Sequence, residues 1–198
     1  MSDERMVIIV AGPGSVGKSA ITLQFITQTF VQDHDPTIEE SYQKTLTINN
    51  KTFPLEIQDT AGQEEYSTLR SHNFRAGNGF LLIYAVDNRK GFEEIEEFRK
   101  EITRAKDCDN VPIVLCANKI DLPIKEHEVS KKEGQDLAKN YQVPFIETSA
   151  KEVININEAF QSIVKLVVEN EQSKKSKGKG KGKGKGKGKG KKKDCKLM

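Results

Sequence analysis

Residues 6–19 read Met-Val-Ile-Ile-Val-Ala-Gly-Pro-Gly-Ser-Val-Gly-Lys-Ser, and this stretch decides the fold. Met6–Ala11 is an apolar, largely β-branched run, too short for a helix and stopped by Gly12. It reads as a buried strand. Gly12 to Ser19 then matches G-x-x-x-x-G-K-[ST]. Glycines at these places let the backbone curl so that successive N–H groups converge on phosphate oxygens. A helix opening directly afterwards adds its positive N-terminal end. Lys18–Phe30 supplies that helix, with Ile21, Leu23, Phe25 and Ile26 set among polar residues. In this strand-loop-helix context the motif predicts a phosphate cradle, with Lys18 reaching the β- and γ-phosphates and Ser19 holding Mg²⁺. The plainer alternative is a Gly-rich turn with an exposed lysine.

Outward from the loop, apolar runs alternate with helical patterns. Lys44–Ile48 and Thr52–Ile57 flank Asn49-Asn50 and read as a hairpin, since Asn tolerates the left-handed dihedrals of a tight turn. Phe80–Val86 and Pro112–Ala117 are continuous apolar strands. Phe92–Lys106 is a charged amphipathic helix with Ile95, Phe98 and Ile102 on one face. Val129–Asn140, Val143–Ile146 and Asn157–Glu169 give helix, strand, helix. The expected fold is α/β, of the P-loop NTPase type. It is a three-layer arrangement with a six-stranded, mostly parallel sheet, one antiparallel strand and helices on both faces. In such sheets ligands bind beyond the carboxyl ends of the strands, so the loops after each strand form the candidate site.

Two of those loops bear on the base. Asn118-Lys119-Ile120-Asp121 follows the Pro112–Ala117 strand, and Thr148-Ser149-Ala150-Lys151 follows the next one. The Asp121 carboxylate can accept from guanine's N1–H and exocyclic amine together. Adenine has no such donor pair and would leave the carboxylate desolvated and unpaired. The tetrapeptide alone could equally be a polar turn; in register with the phosphate loop it points to guanine.

The spacing of these loops, with Asp59-Thr-Ala-Gly62-Gln63-Glu64-Glu65-Tyr66 and Asp35-Pro-Thr37-Ile-Glu-Glu-Ser-Tyr42, resembles the Ras subfamily of small GTPases. The resemblance covers residues 5–170 and reaches the last four. It implies GTP and GDP as substrate and product, Mg²⁺ as cofactor, and slow GTP hydrolysis. Nucleotide contacts fall on Gly12, Gly14, Ser15, Val16, Gly17, Lys18, Ser19 and Ala20, then on Phe30, Thr37, Asp59 and Gly62. At the base they fall on Asn118, Lys119, Asp121, Ser149, Ala150 and Lys151. Ser19 and Thr37 would ligate Mg²⁺, and Asp59 would hold it through water. Gln63 would be the catalytic residue, orienting the attacking water. Phe30 would lie edge-on against guanine, although its pattern suits a core aromatic ending the first helix equally well. His34, Asp35, Pro36, Thr37, Ile38, Glu39, Glu40, Ser41 and Tyr42 would form the effector region. Loss of the γ-phosphate would release Thr37 and Gly62 together and relax both loops. The implied partners are a guanine-nucleotide exchange factor, a GTPase-activating protein supplying an arginine, and effectors with Ras-binding domains.

Four positions depart from that pattern. Pro13 has no N–H, but the donating amides lie further on. Ser15 stands where Ras has Gly. His34 replaces a Tyr that closes over the phosphates, which weakens the lid. Glu40 stands where Ras has the shorter Asp and bears on effector identity. No Arg lies between Phe30 and Thr37, so hydrolysis should be slow unaided.

The net charge of +3 conceals an asymmetry. Residues 171–198 hold 13 lysines against Glu171 and Asp194, a net of +11, which leaves −8 for residues 1–170. The organisation expected is a G domain over 1–170, a disordered Lys/Gly tail over 171–194 and a lipidation box over 195–198. Lys and Gly alternate from Lys177 to Gly190, and such a repeat cannot bury apolar area against its ordering entropy. Cys195-Lys196-Leu197-Met198 reads as a C-a-a-X box with Lys at the first "a"; terminal Met favours farnesyl. The resemblance implies removal of the last three residues and methylation of Cys195. One lipid binds marginally, so the lysines would supply the second signal on an anionic inner leaflet. The expected location is the cytoplasmic face of the plasma membrane. Three cysteines cannot build a disulfide framework, and no signal peptide or membrane-spanning run is read.

Three rival readings are weaker. A Rab-type trafficking GTPase would favour double terminal cysteines. A GTP-binding module without hydrolysis is opposed by Gln63. The Lys-Gly tail has no aromatics to stack on bases, so no nucleic-acid partner is expected.

Overall fold

The computed structural model describes residues 5–30, 39–60 and 67–179. Six strands form one sheet: β1 (Met6–Ala11), β2 (Glu39–Ile48), β3 (Lys51–Thr60), β4 (Gly79–Ala85), β5 (Ile113–Asn118) and β6 (Phe145–Glu147). Five helices accompany them: α1 (Lys18–Thr27), α2 (Ser67–Ala76), α3 (Arg89–Lys106), α4 (Lys131–Tyr141) and α5 (Ile156–Lys179). The sheet order is β2-β3-β1-β4-β5-β6. Only β2 runs antiparallel, paired with β3 from Glu39 opposite Thr60 to Ile48 opposite Lys51. The expected α/β class, strand count and single antiparallel strand are all present.

Alternation along the central strands divides the core in two. Ile8 and Val10 of β1 and Leu81 and Ile83 of β4 face α1 and α5, meeting Ile21, Phe25, Phe160, Ile163 and Val167. Ile9 and Ala11, with Phe80, Leu82 and Tyr84, face the other helices and meet Phe74, Ile95, Phe98, Ile102 and Ala138. Every residue of β4 and β5 is buried, as parallel strands covered on both faces require. Phe25 and Phe160 stack with ring centroids 3.8 Å apart and clamp α1 to α5.

The structure departs from the expected bounds in physically readable ways. The Asn49-Asn50 turn is as expected, with φ of 49° and 60°. The hairpin strands are nearly twice their expected length, because residues beyond the apolar cores still pair. α1 stops at Thr27 rather than Phe30, where Gln28 turns left-handed and its N–H caps the Gln24 carbonyl. α3 starts three residues before Phe92, where the Asn88 side chain accepts the Gly91 N–H. α2 has no apolar stripe. It is held by buried Phe74 and by Arg70, which is buried, stacks over Phe98 and pairs with Glu101 at 3.3 Å. α5 runs ten residues past the expected Glu169, into the stretch from 171 that composition reads as disordered. Glu, Gln, Ser and Lys permit that continuation, and the helix is described as far as Lys179. Among the described residues no helix is long and apolar enough to cross a membrane.

Candidate functional site

The loops after β1, β4, β5 and β6 and the end of β3 at Asp59 and Thr60 meet at one edge of the sheet. The loop after β1 fits only glycine at two points. Gly12 has φ +145°, and a Cβ there would stand 2.1 Å from the Ile83 carbonyl oxygen. Gly17 has φ +89°, and its Cβ would meet the Asn118 amide nitrogen at 2.4 Å. Gly14 differs: no described residue lies within 4 Å of a Cβ built there. Ser15 takes φ 61°, the left-handed conformation a non-glycine residue adopts at a cost of about 1–2 kcal/mol. The Ser15 departure is therefore a strained one.

Lys18 is buried, and its ammonium donates to the Pro13 carbonyl at 2.7 Å across the mouth of the loop. Burial pushes its pKa down to about 8; nearby Asp59 opposes that shift and Arg70 adds to it. An ammonium so desolvated is poised for an anion. The Ser19 hydroxyl donates to the fully buried Asp59 carboxylate. These are two hard oxygen groups in contact at the start of α1, the donor set that suits Mg²⁺. Thr60 fixes the end of β3 through a hydroxyl bond to the Val10 carbonyl at 2.9 Å.

The two further loops are tied to this cradle and to each other. The Asn118 amide donates to the Val16 carbonyl at 2.9 Å, linking positions 102 apart in sequence. Thr148 donates its N–H to the Ala117 carbonyl at 2.7 Å, and Ile120 donates to the Thr148 carbonyl at 3.3 Å. The Ser149 hydroxyl donates to Asp121 at 2.6 Å and accepts the Glu152 N–H at 2.9 Å. Asp121 is thereby aimed from both loops. Ala150 is buried beside them, and Lys151 is exposed. Lys119, with φ 65°, places its ammonium 3.0 Å from Asp87 at the end of β4.

Phe30 is 38 % exposed, which rules out the core-aromatic alternative. Of the effector region, Glu40, Ser41 and Tyr42 lie on β2 at the sheet's edge, where the Tyr42 hydroxyl donates to the Glu40 carboxylate. Burial and that carboxylate push the Tyr42 pKa up to about 12. Thr37, Gly62, Gln63, His34, Asp35, Pro36, Ile38 and Cys195 lie outside the described residues, as does the side chain of Glu39. Sequence reasoning missed Asp87, and it placed Thr148 in a site loop without a role of its own. The available signal was position: both stand at the carboxyl end of a strand, where the fold puts its ligand loops.

Residues 7–169 match the family model described as "Ras family". This chain belongs to the Ras family. It is 51 % identical over 160 residues to Ras-like protein 1 of Saccharomyces cerevisiae, covering 81 % of this chain and 52 % of that protein. It is 46 % identical over 158 residues to Ras-like protein rasC of Dictyostelium discoideum, covering 80 % of this chain and 84 % of that one. The match thus spans about half the length of the yeast relative and most of the Dictyostelium one.

Proposed function

We propose that this chain is a membrane-anchored switch that binds GDP and GTP with Mg²⁺ and hydrolyses GTP slowly. The observation that carries the reading is the joining of three loops into one site. The phosphate loop holds buried Lys18, Asn118 bonds back to that loop, and Ser149 orients Asp121 from the neighbouring strand. These ties would fix phosphate recognition and base recognition relative to each other.

In this reading the amides from Ser15 to Ala20 donate to the phosphates and Lys18 reaches the β- and γ-phosphates. Asp121 accepts two guanine donors, Ala150 gives the base an N–H, and Lys119 and Phe30 flank it. Ser19, Asp59 and Thr37 would hold Mg²⁺, which when bound neutralises charge on the β- and γ-phosphates. Gln63 orients the attacking water, and the Gly62 N–H donates to the γ-phosphate. No arginine lies between Phe30 and Thr37, so an activating protein would supply one. Effectors would pair with the open edge of β2 around Glu40 to Tyr42. Residues 1–170 form the nucleotide domain, and 171–198 the membrane device, with Cys195 lipidated and the lysines on an anionic leaflet.

Single-turnover hydrolysis of bound GTP tests this. The expected rate is on the order of 10⁻⁴–10⁻³ s⁻¹, the intrinsic rate of Ras itself, with release of phosphate blocked in Gln63→Leu under stimulation. No turnover in the wild type, with or without an activating protein, would leave a binding module only.

A further inference from the structure

The loop after β4 carries a charge that the nucleotide reading does not use. Asp87 follows β4 and stands two residues before α3, in a loop held from several sides. The Asn88 side chain accepts the Gly91 N–H at 2.8 Å. Val86 donates to the Asn118 carbonyl at 3.0 Å, and its own carbonyl accepts from Glu128 and Val129 at 2.8 and 3.0 Å. The Arg89 N–H donates to Glu128 at 2.7 Å. Asp87 is therefore a carboxylate on a fixed platform, 32 positions away from Lys119 in sequence and 3.0 Å from its ammonium. The other Asp87 oxygen is buried and has no hydrogen-bond partner among the described residues. Among the described residues, Lys119 is the charged group paired with that carboxylate.

Lys119 is itself unusually constrained. Its backbone is left-handed, and its carbonyl accepts the Leu122 N–H at 3.1 Å. With one end fixed by the backbone and the other by Asp87, the four-carbon stem is held stretched between β5 and β4. A free lysine loses up to about 2 kcal/mol of rotamer entropy when ordered. Ordering the chain before the ligand arrives removes that cost from the binding step. The pair is about one-third exposed, at 34 % and 29 % of the side-chain areas, so it is partly screened but not fully solvated.

We propose that Asp87 is a positioning residue for the guanine site, holding the Lys119 stem where it packs along the base and so slowing nucleotide release. The proposal rests on the guanine-nucleotide reading of the same site. Asp87 touches no nucleotide atom in it and acts through Lys119. Asp87→Asn keeps the shape of the side chain and removes its charge.

The test is the dissociation rate of a fluorescent GDP analogue from the full-length chain with Mg²⁺. Asp87→Asn should release it about 3–10-fold faster than the wild type. On a Lys119→Met background the same substitution should change the rate less than twofold, because the group it acts through is gone. Raising salt from about 0.05 to 0.5 M should speed release from the wild type and leave Asp87→Asn nearly unchanged, a signature that loosening of the loop alone does not give. Release that is unchanged or slower in Asp87→Asn overturns the proposal, as does an equal acceleration on the Lys119→Met background. Should the wild type retain no GDP at all, the guanine-nucleotide reading itself fails, a result distinct from either.

Discussion

Two glycines of one loop have opposite fates. Gly12 cannot carry a side chain, because its Cβ would overlap the Ile83 carbonyl and its φ is +145°. Gly12→Ala should therefore cost at least about 2 kcal/mol of stability, read as a lower denaturant midpoint. No described residue crowds a Cβ on Gly14, so Gly14→Val should fold with a wild-type midpoint. Its valine should nevertheless block stimulated hydrolysis, since it would fill the space that Gln63 and an incoming arginine need. Equal midpoints for the two variants would contradict the geometry of the loop. Lys18 makes a pH prediction with a definite sign. Its pKa is lowered to about 8 in the nucleotide-free protein, and phosphates should raise it again. Binding then takes up a proton between about pH 8 and 10. Affinity should fall as pH rises through that window, and the binding heat should vary with the ionisation enthalpy of the buffer. Buffer-independent heat at pH 9 would mean that Lys18 is already charged when free. Asp121→Asn should lose GTP and gain xanthosine triphosphate, whose O2 needs a donor opposite, as paired dissociation constants would reveal.

Elements were legible to very different degrees. β1, β4 and β5 are buried on both faces, so their apolar runs stand out in sequence and were placed within a residue or two. α2 was not, since its sequence STLRSHNFRA shows no apolar period. It is fixed by Phe74 and by a buried arginine paired with Glu101, 31 positions away. Ends were equally hard. α1 stops at a left-handed Gln28, not at a glycine or proline, and α5 continues through polar residues that helices merely tolerate. Of the site, the motif loops were readable because each is a local sequence. The ties among them, Asn118 to Val16, Thr148 to Ala117 and Asp87 to Lys119, were not, because they cross between strands. The α1–α5 clamp yields a prediction at this scale. Phe160→Ala removes the ring stacked on Phe25 and should cost about 3–5 kcal/mol, measured by chemical denaturation. A loss under 1 kcal/mol would show that the cavity collapses without penalty.

At the scale of the whole molecule, an acidic domain of −8 is joined to a basic segment of +11. Two separable contributions would then hold it to a membrane: a lipid on Cys195 that salt does not screen, and lysines acting within a Debye length of about 8 Å at physiological ionic strength. Cys195→Ser should leave the protein in the soluble fraction, and tail Lys→Gln variants should bind anionic vesicles poorly. Salt-independent binding to neutral vesicles would speak against the electrostatic half.

The central claim is that the joined loops select a guanine nucleotide. Calorimetric titration of the nucleotide-free chain with GDP and with ADP, both with Mg²⁺, addresses it most directly. A site that pairs a half-buried carboxylate with two matching donors discriminates by up to roughly 10⁴–10⁵-fold. GDP should therefore bind at least about a thousandfold more tightly than ADP, with the preference reduced in Asp121→Asn. Comparable affinities for the two in the wild-type chain would contradict the account.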